Sequence, residues 1–279
     1  MRLLKGARPV QTPELFDHYQ LHNFTEYGID KYCEIFYNWI INSQDKTITG
    51  LDQFVYRSST QGTSQSFDNF VLRHANKQVV NFAGDFQYHA CISKNINHGI
   101  LSNVTELKNG QALIISFPFS DTGNEHKDFK EILQICSTLD IPVCLDIAYW
   151  GIAKGLILNL DHWPCVQEVV CSLSKPFCVL ETHRVGIRCN RDYADDGICM
   201  INEVGMANSY SMSLGCWFMN RFSNSYNWKK YSDIYYDVCD QLTLVPTNTV
   251  IFGLGDQRYT DFFRGLPGNY RVCISEYLK

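Results

Sequence analysis

Strand-like and helix-like segments alternate along the middle of the chain, and this alternation limits the folds that are open to it. Three apolar strands end at Phe117, Asp146 and Lys175, which follow one another at equal intervals. Each interval accommodates one strand-helix-strand unit, and such a unit joins two parallel strands. The sequence therefore predicts an α/β protein whose mostly parallel sheet is covered by helices on both faces.

The separate segments carry the periodicities of these elements. Apolar residues at helical spacing mark residues 30–41, the segment after Gly62 and "HKDFKEILQICSTLD", whereas apolar runs mark four strands. The four are "QVVNFAG", "QALIISF", "IPVCLDIAY" and "VQEVVCSLS". After Asn208 come two helix-like segments and the short strands "TNTVIFGLG" and "NYRVCIS". We predict a segment 1–44 that packs with the small domain, a large domain 45–205 and a small α+β domain 206–279.

Charge and cysteine usage exclude several classes of protein. The net charge is -5 and the basic residues are scattered, so no nucleic-acid partner is expected. No apolar run is long enough for a membrane span, and "MRLLKGARPV" resembles neither a signal peptide nor an anchor. Most of the 12 cysteines lie in apolar segments without a C-x-x-C pair, which predicts buried thiols, no metal site and a cytoplasmic protein.

Polar residues at the strand ends form the candidate site. Ligands of parallel sheets bind beyond the carboxyl ends of the strands, so Asp146 and Lys175 are expected in one crevice. Gly62 begins a loop that leads into a helix N-terminus, where an anion can bind, and Arg184 follows Lys175 after a short loop. Taken singly, each has an ordinary alternative: a solvated surface lysine, a turn carboxylate and, for Tyr149, a half-buried core tyrosine.

The spacing of these residues resembles that of a known enzyme superfamily. "DIAYWG" followed by "SLSKPF" and "HRVG" is similar to the D-x-A-Y and S-x-S-K...R-x-G motifs of fold type I pyridoxal-phosphate (PLP) enzymes. This is the superfamily of aspartate and histidinol-phosphate aminotransferases. The likeness extends from the "GTS" loop at Gly62 to "YRVCIS" near the C-terminus.

The resemblance implies a role for each polar residue. Lys175 would form a Schiff base with the PLP aldehyde, Asp146 would pair with the protonated pyridine nitrogen, and Tyr149 would donate to the phenolic oxygen. An ion pair at about 4 Å in a dielectric near 20 is worth about 4 kcal/mol, which holds the ring nitrogen protonated. The PLP phosphate would be bound by a set of hydroxyl, amide and guanidinium groups: Gly62, Thr63, Ser64, Ser172, Ser174 and Arg184.

Two further positions follow from the same likeness. Tyr88 in "GDFQYH" falls where the superfamily has an aromatic ring stacked on PLP, with Phe86 as the rival and core packing as the alternative. Arg271 in "NYRVCIS" resembles the arginine that clamps the substrate α-carboxylate through its bidentate fork. Its alternative is a surface arginine on an edge strand.

The sequence also departs from the superfamily pattern. Phe117 precedes Pro118 where an asparagine is usual, so one donor to the phenolic oxygen is lost unless Asn124 replaces it. The interval from Lys175 to Arg184 is one residue longer than usual, which leaves Arg188 as an alternative phosphate ligand. The chain is also short for the superfamily.

These features predict an aminotransferase that moves an amino group between an α-amino acid and a keto acid. The first alternative is another reaction of the same carbanion, such as β-elimination or decarboxylation, which the missing asparagine favours. The second is a binding or regulatory module that kept the fold and lost turnover. The resemblance also implies a homodimer.

Overall fold

We analysed a computed structural model, which describes Leu3 and residues 12–20, 25–92, 97–177 and 183–278. The helices are α1 (Pro13–Gln20), α2 (Ile29–Ile41), α3 (Thr63–Arg73), α4 (Gln87–Ile92), α5 (Phe129–Thr138), α6 (Gly197–Glu203), α7 (Ser209–Met219) and α8 (Tyr226–Gln241). The strands are β1 (Thr47–Thr49), β2 (Tyr56–Thr60), β3 (Gln78–Phe82), β4 (His98–Leu101), β5 (Gln111–Ser116), β6 (Val143–Asp146), β7 (Ile157–Asn159), β8 (Val166–Ser172), β9 (Gly186–Asn190), β10 (Val245–Pro246), β11 (Phe252–Gly255) and β12 (Tyr270–Cys273).

The central sheet confirms the predicted α/β class. Its strand order is β2-β9-β8-β6-β5-β3-β4, and β8, β6, β5, β3 and β4 all pair in parallel. Strand β9 is antiparallel to both of its neighbours, β2 and β8, so β2 points the same way as the parallel strands. The carboxyl ends of six strands therefore meet at one edge of the sheet.

Both faces of the central sheet are covered, as the continuous apolar strands require. Along β5, Ala112 and Ile114 pack with Phe67 and Phe70 of α3 on one face, whereas Leu113 on the other face joins the main core. Side chains of successive strand residues point to opposite faces, which explains this division. Burying one such large apolar side chain contributes roughly 1.5–3 kcal/mol.

A second core lies around the small antiparallel sheet β10-β11-β12. Tyr231 and Tyr235 of α8 pack there with Phe252 and Val272, and Tyr149, which follows β6, joins the same cluster. Helix α7, which the predicted boundary at residue 206 assigns to the small domain, instead places Leu214 and other side chains in the main core. The division into three segments stays a prediction.

The cysteines lie in the apolar layers. The ten cysteines whose side chains the structure describes are buried and form no disulfide with one another, as the sequence predicts. Burial raises the pKa of several of these thiols, for example that of Cys239 to about 11. In the described part of the chain, no helix combines the length and the apolar character of a membrane crossing.

Candidate active site

A cleft opens at the carboxyl ends of the parallel strands. Residues that follow β2, β5, β6 and β8 form its wall, together with the N-terminus of α3. The lining residues are Thr63, Ser64, Phe86, Ser116, Pro118, Ser120, Asp146, Ala148, Tyr149, Ser172, Ser174, Lys175 and Arg184.

The cleft brings together most of the residues singled out from the sequence. Eight of them lie in its wall: Thr63, Ser64, Asp146, Tyr149, Ser172, Ser174, Lys175 and Arg184. Gly62 is the N-cap residue directly before the first turn of α3. Tyr88 and Arg271 are not part of the wall. Their positions are described below.

Asp146 ends β6 with its carboxyl group buried at the bottom of the cleft. The residue is 4% exposed, and its Oδ1 accepts a hydrogen bond of 2.9 Å from the backbone N–H of Ala148. Burial raises the pKa of Asp146 to about 7, and the nearby carboxyl of Asp85 acts in the same direction. The Ala148 amide and the Lys175 ammonium favour the charged form. A cationic partner within the cleft would stabilise the carboxylate further.

The part of the cleft wall formed by the N-terminus of α3 suits an anion. Helix α3 begins at Thr63 without an acidic residue in its first turn, and Gly62 provides no side-chain cap for its amides. Helix N-termini of this kind bind phosphate groups through their free N–H groups and the helix dipole. The Arg184 guanidinium lies beside Gly62, where a Cβ would come within 3.0 Å of Nη2. The φ of Gly62 is +79°, so glycine suits this position both for its backbone conformation and for the space that it leaves to Arg184.

Ser174 adds an unused donor to the same cleft. Its Oγ is buried and has no hydrogen-bond partner among the described residues. A buried hydroxyl without a partner carries a desolvation cost, which a ligand oxygen at that place would remove. Ser174 therefore fits a polar ligand in the cleft.

Arg271 lies behind Tyr149 and is almost fully buried. Its Nη1 donates to the Ser120 carbonyl and to the Tyr149 hydroxyl, and its guanidinium stacks 4.1 Å from the Phe252 ring centroid. The Nε and Nη2 groups of Arg271 are buried without a partner among the described residues. These two donors form one side of the guanidinium fork, which matches the two oxygens of a carboxylate. The surface-arginine alternative is therefore wrong, because Arg271 is 1% exposed.

The sequence matches no protein family model and no curated protein. Its fold is similar to that of solved structures over almost its whole length. An aromatic aminotransferase from Pyrococcus horikoshii is 15% identical, with a TM-score of 0.69 over 98% of this chain and 91% of that chain. A PLP-bound C-S lyase from Staphylococcus hominis is 11% identical, with a TM-score of 0.70 over 97% and 86%. A mutant aspartate aminotransferase from Thermus thermophilus is 15% identical, with a TM-score of 0.67 over 98% and 87%.

This chain has the fold type I fold of PLP enzymes. The structural likeness confirms the fold that the motifs around Asp146 and Lys175 predict. In open α/β sheets ligands bind beyond the carboxyl ends of the strands, and the cleft described above lies at that edge. The roles of the individual side chains are separate questions, which the proposals below address.

The structure favours Phe86 over Tyr88 as the aromatic wall of the cleft. Phe86 lines the cleft, whereas Tyr88 lies in the first turn of α4 and its hydroxyl donates to Asp68 at 3.1 Å. The Tyr88 ring stacks on Phe86 with its centroid 6.2 Å away. Tyr88 is therefore not a wall residue of the cleft, and its stacking on PLP stays a prediction. Phe86 immediately precedes α4, so the backbone turns its ring to the cleft and the next aromatic ring away from it.

Both substitutes that the sequence suggested lie elsewhere in the structure. Asn124 does not fold back to the cleft, because its Oδ1 accepts from the backbone N–H of Asn248 at 2.7 Å. Arg188 lies within β9 and is fully buried against Asp196, with Nη2 3.0 Å from Oδ1. Arg188 is thus unsuitable as a phosphate ligand, and Arg184 occupies the expected place. Phe117 itself packs in the core against Phe129, with ring centroids 4.8 Å apart.

Several lining residues were missed by the sequence analysis. Ser116, Pro118 and Ser120 come from the end of β5 and the loop behind it. The signal was the segment "FPFSDTGN", whose Pro118 and Ser120 directly follow β5. Ser120 contributes most, because its carbonyl oxygen accepts from Arg271 and so fixes the guanidinium.

Proposed function

We propose that this chain is a PLP-dependent enzyme that acts on amino acids, with transamination as its reaction. The observation that carries the proposal is the meeting of Asp146, Lys175 and the N-terminus of α3 in the wall of one cleft. An amine, a buried carboxyl group and an anion site in one cleft match the aldehyde, ring nitrogen and phosphate of PLP.

The phosphate end of the cleft would bind PLP through several independent groups. Arg184 supplies a guanidinium, and Thr63 and Ser64 supply helix N-terminal amides, so a dianion gains both charge and dipole interactions. The buried Ser174 hydroxyl would gain the partner that it lacks. Phe86 supplies an aromatic face in the same wall.

PLP, once bound, stabilises negative charge that develops at the α-carbon of an amino acid. The protein's contribution is proton transfer and orientation. Lys175 would attach the cofactor covalently and, after exchange with the substrate amine, carry a proton to and from the substrate α-carbon. Asp146 would keep the ring nitrogen protonated through an ion pair in a site of low dielectric.

Arg271 would orient the substrate. Its Nε and Nη2 groups face no protein acceptor among the described residues, and a substrate α-carboxylate would accept from both. Because Ser120 and Tyr149 hold the other side of the guanidinium, the fork is fixed before the substrate arrives. Preorganisation of this kind lowers the entropy cost of binding.

A C–S lyase or related elimination reaction is the second candidate. Phe117 turns into the core where the superfamily has an asparagine, so the phenolic oxygen of PLP would lose one donor. A hydrogen bond to a charged group is worth about 1.5–3 kcal/mol, enough to change the balance between reactions that share a carbanion. The C–S lyase among the structural neighbours has the same fold, in agreement with this candidate.

The first experiment is borohydride reduction of purified protein incubated with PLP, followed by peptide mapping. The proposal expects one modified residue, Lys175. A modified lysine elsewhere, or none, would contradict it. Lys154, which donates to Tyr236 at 2.8 Å and lies outside the cleft wall, serves as the internal comparison.

A second experiment separates the reactions. The PLP-loaded protein is mixed with single amino acids, with and without a keto acid, and the products are identified. Transamination gives a new amino acid only when the keto acid is present, whereas elimination gives ammonia in its absence. Unchanged cofactor spectra with every amino acid would instead support a binding or regulatory module.

The homodimer and the cytoplasmic location stay predictions. Light scattering of the purified protein would test the first, and fractionation of cells that express it would test the second. A monomer that binds PLP and turns over would show that the site is complete in one chain.

A further inference from the structure

A second carboxyl group, that of Asp85, lies directly behind the cleft. Asp85 is 3% exposed and comes just before Phe86, in the loop that leads from β3 into α4. Its Oδ2 accepts from the backbone N–H of Ser116 at 3.0 Å, and its Oδ1 accepts from that of Phe86 at 2.7 Å. Two residues of the cleft wall therefore fix the position of this carboxyl group.

The pairing of the strands places Asp85 close to Asp146. Ser116, which donates to Asp85, is the residue directly opposite Asp146 in the parallel pair of β5 and β6. Neighbouring strands lie about 4.8 Å apart. Both side chains are buried at this edge of the sheet, where little water screens their charges.

The other titratable groups that face Asp85 do not cancel the repulsion between its carboxylate and that of Asp146. His89 of α4 lies with its Nδ1 3.9 Å from Oδ2, and burial lowers the pKa of His89 to about 3, so it is neutral. Burial also lowers the pKa of His126, which faces Asp85 from the loop before α5. Arg264 acts on Asp85 from the segment before β12, but its Nε lies 3.8 Å from Asp121. From the cleft side, Lys175 acts on Asp146.

We infer that Asp85 is a positioning residue that sets the charge carried by Asp146 and, through it, the affinity of the cleft for a protonated ring nitrogen. The part about affinity for the ring nitrogen rests on the proposed function, because that nitrogen belongs to PLP. The part about the charge of Asp146 is independent of the proposed function.

The titration of the two groups supports the geometry. Burial raises the pKa of Asp85 to about 6 and that of Asp146 to about 7, and the Asp85 charge contributes to the second shift. Two interacting acids titrate as a pair. Near neutral pH the pair is therefore only partly deprotonated. Ionisation of Asp146 then brings a second negative charge close to that of Asp85, which makes it less favourable.

The charge coupling is measurable without cofactor. Protein labelled with ¹³C at the aspartate carboxyl carbons is titrated by NMR, and the Asp146 signal is identified by its loss in Asp146→Asn. In Asp85→Asn we expect the Asp146 midpoint to fall by about one pH unit, since a like charge is removed. The matched control is Asp68→Asn, because Asp68 of α3 accepts from Tyr88 of α4 and does not act on Asp146. An Asp146 midpoint that stays the same or rises both in Asp85→Asn and in the Asp85→Ser variant described next overturns the inference.

In Asp85→Asn the side-chain NH₂ group faces one of the two backbone N–H donors, which can disturb the loop. The same titration is therefore made on Asp85→Ser. This variant also removes the charge and keeps a hydroxyl acceptor beside the Phe86 amide. A fall in the Asp146 midpoint in either folded variant supports the inference. An unchanged midpoint in both contradicts it.

PLP affinity is the second readout. Near pH 6, where Asp146 is mostly protonated, we expect Asp85→Asn to bind PLP several-fold more tightly than the unmodified protein. Above about pH 8 the two should bind alike. Asp68→Asn should match the unmodified protein at both pH values. Equal affinities of Asp85→Asn and the unmodified protein at both pH values overturn the role toward the cofactor. If the NMR midpoint shifts but no variant binds PLP, the proposed function fails and the coupling of the two carboxyl groups stands.

Discussion

Gly62 lies against the guanidinium of Arg184 at the N-terminus of α3, so closely that a Cβ on the glycine would come within 3.0 Å of Nη2. The contact joins a loop after β2 to the segment before β9, two neighbouring strands at the edge of the sheet. It gives the first prediction, which tests the anion site without changing any charge.

Gly62→Ala should weaken PLP binding by about tenfold or more, because the new methyl group displaces Arg184 from the phosphate. It should also destabilise the protein by about 1–2 kcal/mol through its positive φ. Gly110→Ala is the matched control, since Gly110 has φ of +85° but nothing within 4 Å of its Cβ position. Spectroscopic titration with PLP and thermal unfolding measure the two effects. Equal PLP affinity in both variants would show that Arg184 does not contribute to the anion site.

Lys175→Arg should abolish covalent attachment of PLP while it keeps the positive charge. We expect borohydride to fix no cofactor and turnover to fall by at least ~10³-fold, since the general base is lost. Lys154→Arg is the control, because Lys154 lies 4.1 Å over the Trp228 ring and far from the chemistry proposed. Turnover that survives in Lys175→Arg would assign the Schiff base to another residue.

Asp146→Asn should make the cofactor-free protein more stable at alkaline pH. The pKa of Asp146 in the folded protein, about 7, lies above its usual value of 3.8, because burial disfavours the charge. Ionisation therefore favours the unfolded chain, and stability is lost as the pH rises from about 4 through 7. The substitution removes this loss, which amounts to at most about 4 kcal/mol. Denaturant unfolding between pH 5 and 8 measures it, with the exposed Asp233→Asn as control. Parallel stability curves for the two variants would show that Asp146 is ionised at little cost.

Arg271→Lys should raise the KM for the amino acid by roughly 10- to 100-fold and leave the PLP affinity unchanged. Lysine retains the charge but cannot present two parallel N–H groups to a carboxylate. Steady-state kinetics and PLP titration on the same preparation separate the two effects, and a thermal melt checks that the contact to Ser120 is not needed for folding. Arg258→Lys, whose partner Asp256 is exposed, is the control. A KM that stays within twofold would place the substrate carboxylate elsewhere.

Much of the site was predictable because it depends on the order of residues along single strands. Asp146 ends β6, and Lys175 follows β8 by three residues. Parallel strands in the same sheet align their carboxyl ends, so these positions alone predicted one cleft. The helix N-terminus after Gly62 was predictable for the same reason, since glycine and hydroxyl residues before apolar residues at helical spacing mark a helix start.

Residues whose roles depend on side-chain direction were harder to predict from the sequence. Phe86 and Tyr88 are two residues apart, and only the turn before α4 decides which ring faces the cleft. Arg188 and Arg184 are equally basic in sequence, but the first pairs with Asp196 inside the sheet. Strand β9 was not predicted, because its antiparallel pairing depends on partners distant in sequence. Its Arg188 also interrupts the apolar pattern that marks a buried strand.

The sequence by itself determined the alternation of strands and helices, and with it the edge of the sheet at which Asp146 and Lys175 meet. Periodicity and strand order are local properties, which the chain carries whatever its environment. Only the tertiary structure decided that one side of the Arg271 fork is buried without a partner among the described residues, and that the Asp85 carboxyl group accepts from the residue paired with Asp146. Burial and the charge of groups brought from distant segments set these properties, and neither exists before the chain has folded.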